Sequence, residues 1–317
     1  MSKYPRPIVV LGGTGFVGSH LVPRLAAAGH PVLVLSRNRE KQRQLAVIPQ
    51  VTVRSADVHS RSVLAQHFAG AEAVVNLVGI LNEAGFDGSG FRRAHVDLPR
   101  TVIGAMADAG VSRLLHMSSL KAGRGDSHYL RTRGEAEALV RASDTRWTIF
   151  QPSVIFGPGD GLFERFAGLL RLAPLMPLGR PDAKLAPVYV GDVCEAFVRA
   201  LGAPSTIGRT YELYGRAMTL REIVAYTRAQ LGLRRPIIGL PDALGWAQAA
   251  LLGLVPGKPL SLDNWRSLAV DSVGTVDGLA ALGIVPTPVD AVVPRMLRGE
   301  LGRQDELDRY RSRRDGG

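Results

Sequence analysis

Short β-branched runs alternate with segments of helical periodicity through the first half of the chain. Ile8–Leu11, Val32–Ser36, Val51–Arg54, Ala73–Leu77, Arg113–Met117 and Thr148–Phe150 read as strands. Between them lie helical patterns over Phe16–Ala28, closed by Gly29, over a polar stretch Arg39–Ala46, and over Ser62–Phe68, ended by Gly70. A long helix is expected over Phe91–Ala109, kinked at Pro99, and another containing Gly134–Ala142. Strand–helix alternation predicts βαβ units and a parallel sheet. Strands that are apolar along their whole length need helices on both faces. The expected fold is therefore α/β, a doubly wound parallel sheet.

Past Gln151-Pro152 the texture changes: Gly157-Pro158-Gly159, Pro174, Pro177, Pro181 and Pro187 crowd the chain, and the alternation lapses. The expected division is residues 1–152 for the sheet and 153–317 for a smaller C-terminal α/β lobe with a helical tail. Chain crossings between the two are expected, and the lobe would lean over the carboxyl edge of the strands.

Composition narrows the chemistry. With 317 residues and 46% hydrophobic positions the chain can bury a large core, and disorder is excluded. Cys194 is the sole cysteine, so neither a disulfide framework nor a cysteine metal site is available. The net charge is +11, from 39 basic and 28 acidic residues, but the basic residues are dispersed. The stretch Arg295–Gly317 mixes seven Arg with five acids. Without a basic block interleaved with aromatics, nucleic acid is not the expected partner; an anionic membrane surface or a phosphorylated ligand fits better. The start, Met1 to Pro7, enters a strand at once without a signal-peptide core. The longest weakly polar segment, Ala243–Val255, is too short to span a bilayer. A cytoplasmic protein, free or peripheral on the inner face of the membrane, is expected, with its oligomeric state open.

The most informative motif is Gly12-Gly13-Thr14-Gly15-Phe16-Val17-Gly18, between the first strand and first helix. Glycines at that spacing permit a tight turn, close backbone approach to a pyrophosphate and close helix–sheet packing. The helix N-terminus adds free N–H groups and a positive dipole. This is the dinucleotide loop of a Rossmann fold. Arg37, helped by Arg39 or Lys41, follows the second strand, where an acid would hold the ribose hydroxyls of NAD and an Arg suits a 2′-phosphate. NADP(H) is therefore expected over NAD(H), although a solvated basic loop would read the same way. Asp57-Val58 falls where adenine would lie, though Asp57 could equally cap a turn. Asn76, Val78 and Gly79 close the fourth strand beside the same crevice.

Together with Ser118-Ser119, the run Gln151 to Asp160 and Val188-Tyr189-Val190-Gly191-Asp192-Val193, these residues resemble the extended, atypical branch of the short-chain dehydrogenase/reductase superfamily, related to NAD-dependent epimerases and dehydratases. A narrower resemblance is to the nucleotide-binding accessory subunit of respiratory complex I and its bacterial relatives. It rests on His95-Val96, His116 to Ala122, Tyr129 to Glu137 and Leu282 to Pro288. The superfamily pattern implies a Tyr as general acid/base, a Lys one helical turn later that holds the nicotinamide ribose, and a Ser that orients the substrate carbonyl. Here Tyr129 and Ser119, with Ser118 beside it, are present, but Arg133 stands in the Lys position. Arg is not interchangeable with an ammonium point charge, yet it can still supply positive charge beside a phenolate. Three functions stay open. One is a bound NADPH in a structural or regulatory role at a respiratory complex, another an active NADPH-dependent reductase or epimerase of a small isoprenoid, quinone or sugar-nucleotide substrate, and the third a redox sensor that reads NADP(H) and passes its state to a partner.

The seven His show no metal-ligand spacing, so no metal is expected. Cys194 reads as core filler. The segment Pro241–Leu252, which carries Trp246, reads either as a lobe-closing helix or as an interfacial helix that meets a membrane or a larger complex.

Overall fold

In the computed structural model, residues 6–37, 43–255 and 258–301 are described. The first half runs β1 (Ile8–Leu11), α1 (Phe16–Ala27), β2 (Val32–Ser36), α2 (Arg43–Ala46), β3 (Val51–Ser55), α3 (Arg61–Phe68), β4 (Ala73–Asn76), α4 (Ser89–Arg92), α5 (Leu98–Ala109), β5 (Arg113–Met117), α6 (His128–Arg141) and β6 (Arg146–Pro152). The second half runs β7 (Ile155–Phe156), α7 (Phe163–Leu172), β8 (Met176–Gly179), β9 (Lys184–Leu185), β10 (Val188–Tyr189), α8 (Val190–Gly202), β11 (Arg209–Leu213), β12 (Met218–Thr219) and α9 (Leu220–Gln230). It closes with β13 (Ile237–Leu240), α10 (Asp242–Leu252), α11 (Leu262–Ser267), α12 (Gly278–Ala281) and α13 (Val289–Leu297).

The doubly wound sheet is present, with seven parallel strands in the order β11-β6-β5-β4-β1-β2-β3. Period-two geometry divides each central strand between two cores. Ile8 and Val10 join a cluster with Leu21 and Leu25 of α1 and Phe197 of α8. Val9 and Leu11 face Leu64 and Phe68 of α3 and Val102 and Met106 of α5. The strand order reverses between β1 and β4, which opens a crevice at the carboxyl ends of the strands.

Two elements of this layer come from beyond residue 153. β11 pairs with β6 as an edge strand, and α8 covers α1, with Cys194 buried between them. The rest of the second half forms a smaller lobe around two clusters, one on Phe156, Phe163, Ile223 and Val293, the other on Leu170, Leu178 and Val224. Asp192 ties the tail to α8, accepting from the Thr287 N–H at 2.6 Å and its hydroxyl at 2.8 Å.

Several element bounds change; the sixth strand, for one, runs Arg146–Pro152 rather than Thr148–Phe150. The helix expected from Phe91 is interrupted by a π-helical turn over Arg93–Asp97, immediately before Pro99. Proline lacks an N–H and its ring crowds the carbonyl one turn back, so the backbone widens there. The helix containing Gly134 begins earlier, at His128, because Ser127 caps it by accepting from the Leu130 N–H at 3.1 Å. The fourth strand stops at Asn76 rather than Leu77.

Candidate functional site

The glycine loop crosses from β1 to α1 at the crevice. Gly12 has φ +76°, and its carbonyl accepts from the Gly15 N–H at 3.0 Å, closing a tight turn. A side chain on Gly18 would collide with Gly12 and Gly13, and one on Gly13 would press on Val34 at 2.9 Å. Those two glycines bring helix and sheet together. Gly15 is exposed, and a Cβ there would meet only the Gly12 carbonyl oxygen, at 3.3 Å. The loop thus presents bare backbone at the start of α1, with Thr14 and Phe16 flanking it half-buried and Val17 in the core. That is a cradle of the size and polarity a pyrophosphate needs.

The remaining cofactor candidates divide by burial. Arg37 is exposed just past β2; its helpers Arg39 and Lys41 lie outside the described residues. Asp57 is exposed and accepts from the His59 N–H at 2.9 Å, while Val58 is buried against the α3 side of the sheet. Asn76 is turned inward: its Oδ1 accepts from the Val78 N–H at 3.1 Å, which leaves Nδ2 to donate to His116 Nδ1 at 3.3 Å. Val78 and Gly79 follow with backbone facing the crevice; a side chain on Gly12 would come within 3.0 Å of the Val78 nitrogen.

The resemblance-derived catalytic residues gather at the other end. Tyr129 and Arg133 sit one turn apart on α6, the Arg133 guanidinium 5.5 Å from the Tyr129 ring centre. Arg133 is buried. Its Nη1 donates to the Met117 carbonyl at 2.8 Å, Nη2 lies against Gly79, and Nε has no partner in the fold. Arg133 therefore reaches from α6 across the end of β5 to the segment after β4. The hydroxyls of Ser118 and Ser119 are buried there and equally unpartnered. Buried polar groups in native folds are normally satisfied, so this cluster points to a ligand.

Two histidines line the same end. His95, on the π-helical turn, accepts at Nε2 from the Ile80 N–H at 3.1 Å. Its Nδ1 therefore carries the proton and meets Thr132 Oγ1 at 3.0 Å, and its ring stands edge-on to Tyr129 at 5.5 Å. Burial, with the positive Arg133 next, pushes the His95 pKa down to about 2 and that of His116 to about 3. Both are neutral, and Arg133 is the cation of this end of the site.

The second half of the chain also builds this site. Asp263, on α11, accepts from the His128 and Tyr129 N–H groups at 2.6 and 3.0 Å, fixing the first turn of α6. The next residue, Asn264, donates to the Leu81 carbonyl at 2.9 Å. Sequence reasoning missed both. A Ser261–Asn264 capping box was the available signal, and it marks a helix start without naming a distant partner. Near the glycine loop, His20 Nε2 meets the Pro158 carbonyl at 3.0 Å, so the phosphate helix is tied to the Gly157–Asp160 turn. Among the described residues, no group of three or more His, Cys, Asp or Glu is placed to hold a metal.

The NAD(P)H-binding family matches residues 12–161. Over 304 residues the chain is 30% identical to the mitochondrial NADH dehydrogenase (ubiquinone) 1 alpha subcomplex subunit 9 of Mus musculus, covering 91% of this chain and 79% of that one. The chain belongs to the NAD(P)H-binding, atypical short-chain dehydrogenase/reductase family. Another member, the ceramide reductase of Caulobacter vibrioides, is 29% identical over 267 residues, covering 82% of this chain and 78% of that one. Two solved structures share the family fold. A dTDP-glucose 4,6-dehydratase from Streptomyces venezuelae superposes with a TM-score of 0.72 at 21% identity, covering 92% of this chain and 95% of that one. An epimerase from Methanothermobacter thermautotrophicus superposes at 0.75 and 16%, covering 97% and 95%. The nicotinamide cofactor of the family suits the residues present: an open backbone cradle at one end, and unpartnered hydroxyls and a guanidinium nitrogen at the other.

Proposed function

We propose that the chain holds NADP(H) without turning it over, in a structural or regulatory role at a complex of the respiratory NADH:quinone oxidoreductase type, on the inner face of the cytoplasmic membrane. Arg133 carries this reading. The family chemistry relies on a compact ammonium beside the Tyr. Here a planar guanidinium is committed to the Met117 carbonyl and lies against Gly79. It adds charge and hydrogen bonds to a bound nucleotide, which favours retention over exchange. Gly12, Thr14, Gly15 and Gly18 would hold the pyrophosphate, Arg37 the 2′-phosphate, and Asp57 with Val58 the adenine. Ser118, Ser119 and Arg133 would hold the nicotinamide end, with Val78 and Gly79 between. When bound, the nicotinamide supplies a transferable hydride. Residues 1–152 serve in this reading as the main cofactor unit and 153–317 as the lobe that takes a substrate or partner.

A second reading, an NADPH-dependent reductase or epimerase of a small isoprenoid, quinone or sugar nucleotide, is favoured by the free Ser118 and Ser119 hydroxyls near Tyr129. One experiment separates them. The protein is purified, its nucleotide released by denaturation and identified, and single-turnover oxidation of bound NADPH is followed with quinone and carbonyl acceptors. Retention with no turnover in the wild type, and a gain on Arg133→Lys, supports the first reading. Rapid wild-type turnover that Arg133→Lys slows establishes the second.

A further inference from the structure

In α10 the usual burial of a helix is inverted. Its buried residues are the small Gly245, which sits against Gly179 and Trp265, and Ala249, while Leu244, Trp246 and Leu251 point away from the protein. Leu244, Trp246 and Leu251 on α10, Leu254 just after it, and Leu81 and Phe86 in the loop after β4 are each 50 to 72% exposed. A helix that covered the lobe would show the opposite pattern.

These apolar groups are joined rather than scattered. Lys258 donates from Nζ to the carbonyls of Glu83, Ala84 and Gly85 at 2.8 to 3.1 Å and lies 4.0 Å over the Phe86 ring. Asn82 Nδ2 donates back to the Lys258 carbonyl at 3.1 Å. The loop that begins at Gly79 is thereby stapled beside the segment that follows α10. Exposed large apolar side chains on segments held side by side mark a candidate interaction site.

The charge pattern selects the occupant. No charged residue lies between Asp242 and Lys258; the exposed Asp242 opens the run, and the cations Arg234 and Arg235 before it and Lys258 and Arg266 after it outnumber that one acid. The chain as a whole is +11. An apolar face with a basic border matches the boundary between headgroups and acyl chains in an anionic bilayer. We infer that α10, the residues after it and the Leu81–Phe86 loop form a docking face for an anionic phospholipid membrane. Through the Leu81–Asn264 and Tyr129–Asp263 bonds this face continues directly into the Tyr129 end of the cofactor crevice, so docking sets that end at the membrane surface. The inference names the surface behind the membrane location proposed above.

The test is flotation of the full chain with vesicles of phosphatidylglycerol and phosphatidylcholine, and with phosphatidylcholine alone. It is combined with quenching of Trp246 by brominated lipid, using Trp246→Phe as the control. Wild type is expected to float with anionic vesicles at low salt, to be released by high salt, and to be quenched. The pair Leu251→Asp and Leu254→Asp should lower partitioning about tenfold or more. NADPH titration of the same variants reports folding and is expected to be unchanged. Failure of wild type to float, flotation of the Asp variants equal to wild type, or a wild-type dimer in sedimentation that those variants dissolve would each overturn the docking face. Failure of wild type to bind NADPH would overturn the functional proposal and leave the docking result standing.

Discussion

Lowering the pH from 7 to 5 should destabilise this protein by an amount that can be worked from its two buried histidines. Burial holds the pKa of His95 down to about 2 and of His116 to about 3, against an ordinary value of 6.5. Below pH 6.5 the unfolded chain therefore takes up protons that the folded one refuses, and stability falls with pH. At 1.36 kcal/mol per pH unit, each histidine costs roughly 2 kcal/mol between pH 7 and 5, about 4 kcal/mol for the pair. Asp160 opposes this. Burial pushes its pKa up to about 6 although the N–H groups of Gly157, Leu162 and Glu164 donate to it. The folded state then binds its proton more tightly than the unfolded state, which returns about 1 kcal/mol over the same interval. Asp192, also raised by burial, acts in the same direction as Asp160. The net loss is about 2–3 kcal/mol before the opposing contribution of Asp192. Urea unfolding at half-unit pH steps measures it, and His116→Gln should remove about half of the histidine contribution to the slope. A flat or rising stability from pH 7 to 5, or folded-state NMR in which either ring titrates near 6.5, would refute the reasoning.

Other outcomes follow from single contacts. Gly18→Ala places a methyl into the Gly12 and Gly13 backbone, so it should cost about 1–3 kcal/mol or more and abolish dinucleotide binding, read by thermal melting and by titration calorimetry. Asp263→Ala leaves the His128 and Tyr129 N–H groups without their carboxylate; a loss of about 1–2 kcal/mol and weaker NADPH binding are expected, and Asp263→Asn should recover part of both. Arg37→Ser should remove about ten- to a hundredfold of NADPH affinity while leaving NADH binding unchanged, measured by calorimetry with both cofactors. Equal losses for the two cofactors would show that Arg37 does not read the 2′-phosphate.

Where local pattern and long-range structure agree, the sequence is enough. The central strands β1 and β4 announce themselves because each is buried along its length and apolar up to Asn76 at the end of β4, and the glycine loop because its φ and its close packing demand glycine, whereas the polar edge strand β11 escapes such a reading. The chemical end of the site is less legible. The spacing of Tyr129 and Arg133 places both on one face of α6, but not the course of the Arg133 side chain past Met117 to Gly79. Asp263 and Asn264 are invisible in sequence terms, since their partners lie more than a hundred residues upstream. The spacing around Pro99 does not foretell the widened turn just before it, which carries His95 into the site. Trp246 had two readings from its apolar surroundings alone. Only tertiary packing reveals that the small residues of α10 face inward and the large ones outward.

The two elements that the second half of the chain returns to the sheet bear on how the protein is made. When Pro152 leaves the ribosome, six of the seven strands have been synthesised, yet the sheet is unfinished. β6 has an open edge, and the outer face of α1, with Leu21 and Leu25, awaits Phe197 of α8. Unpaired strand edges and bare apolar helix faces are where nascent chains stick to one another. The amino-terminal half must therefore be held or shielded until β11 emerges, and the final closure of the sheet is a late event that joins residues from both ends of the sequence.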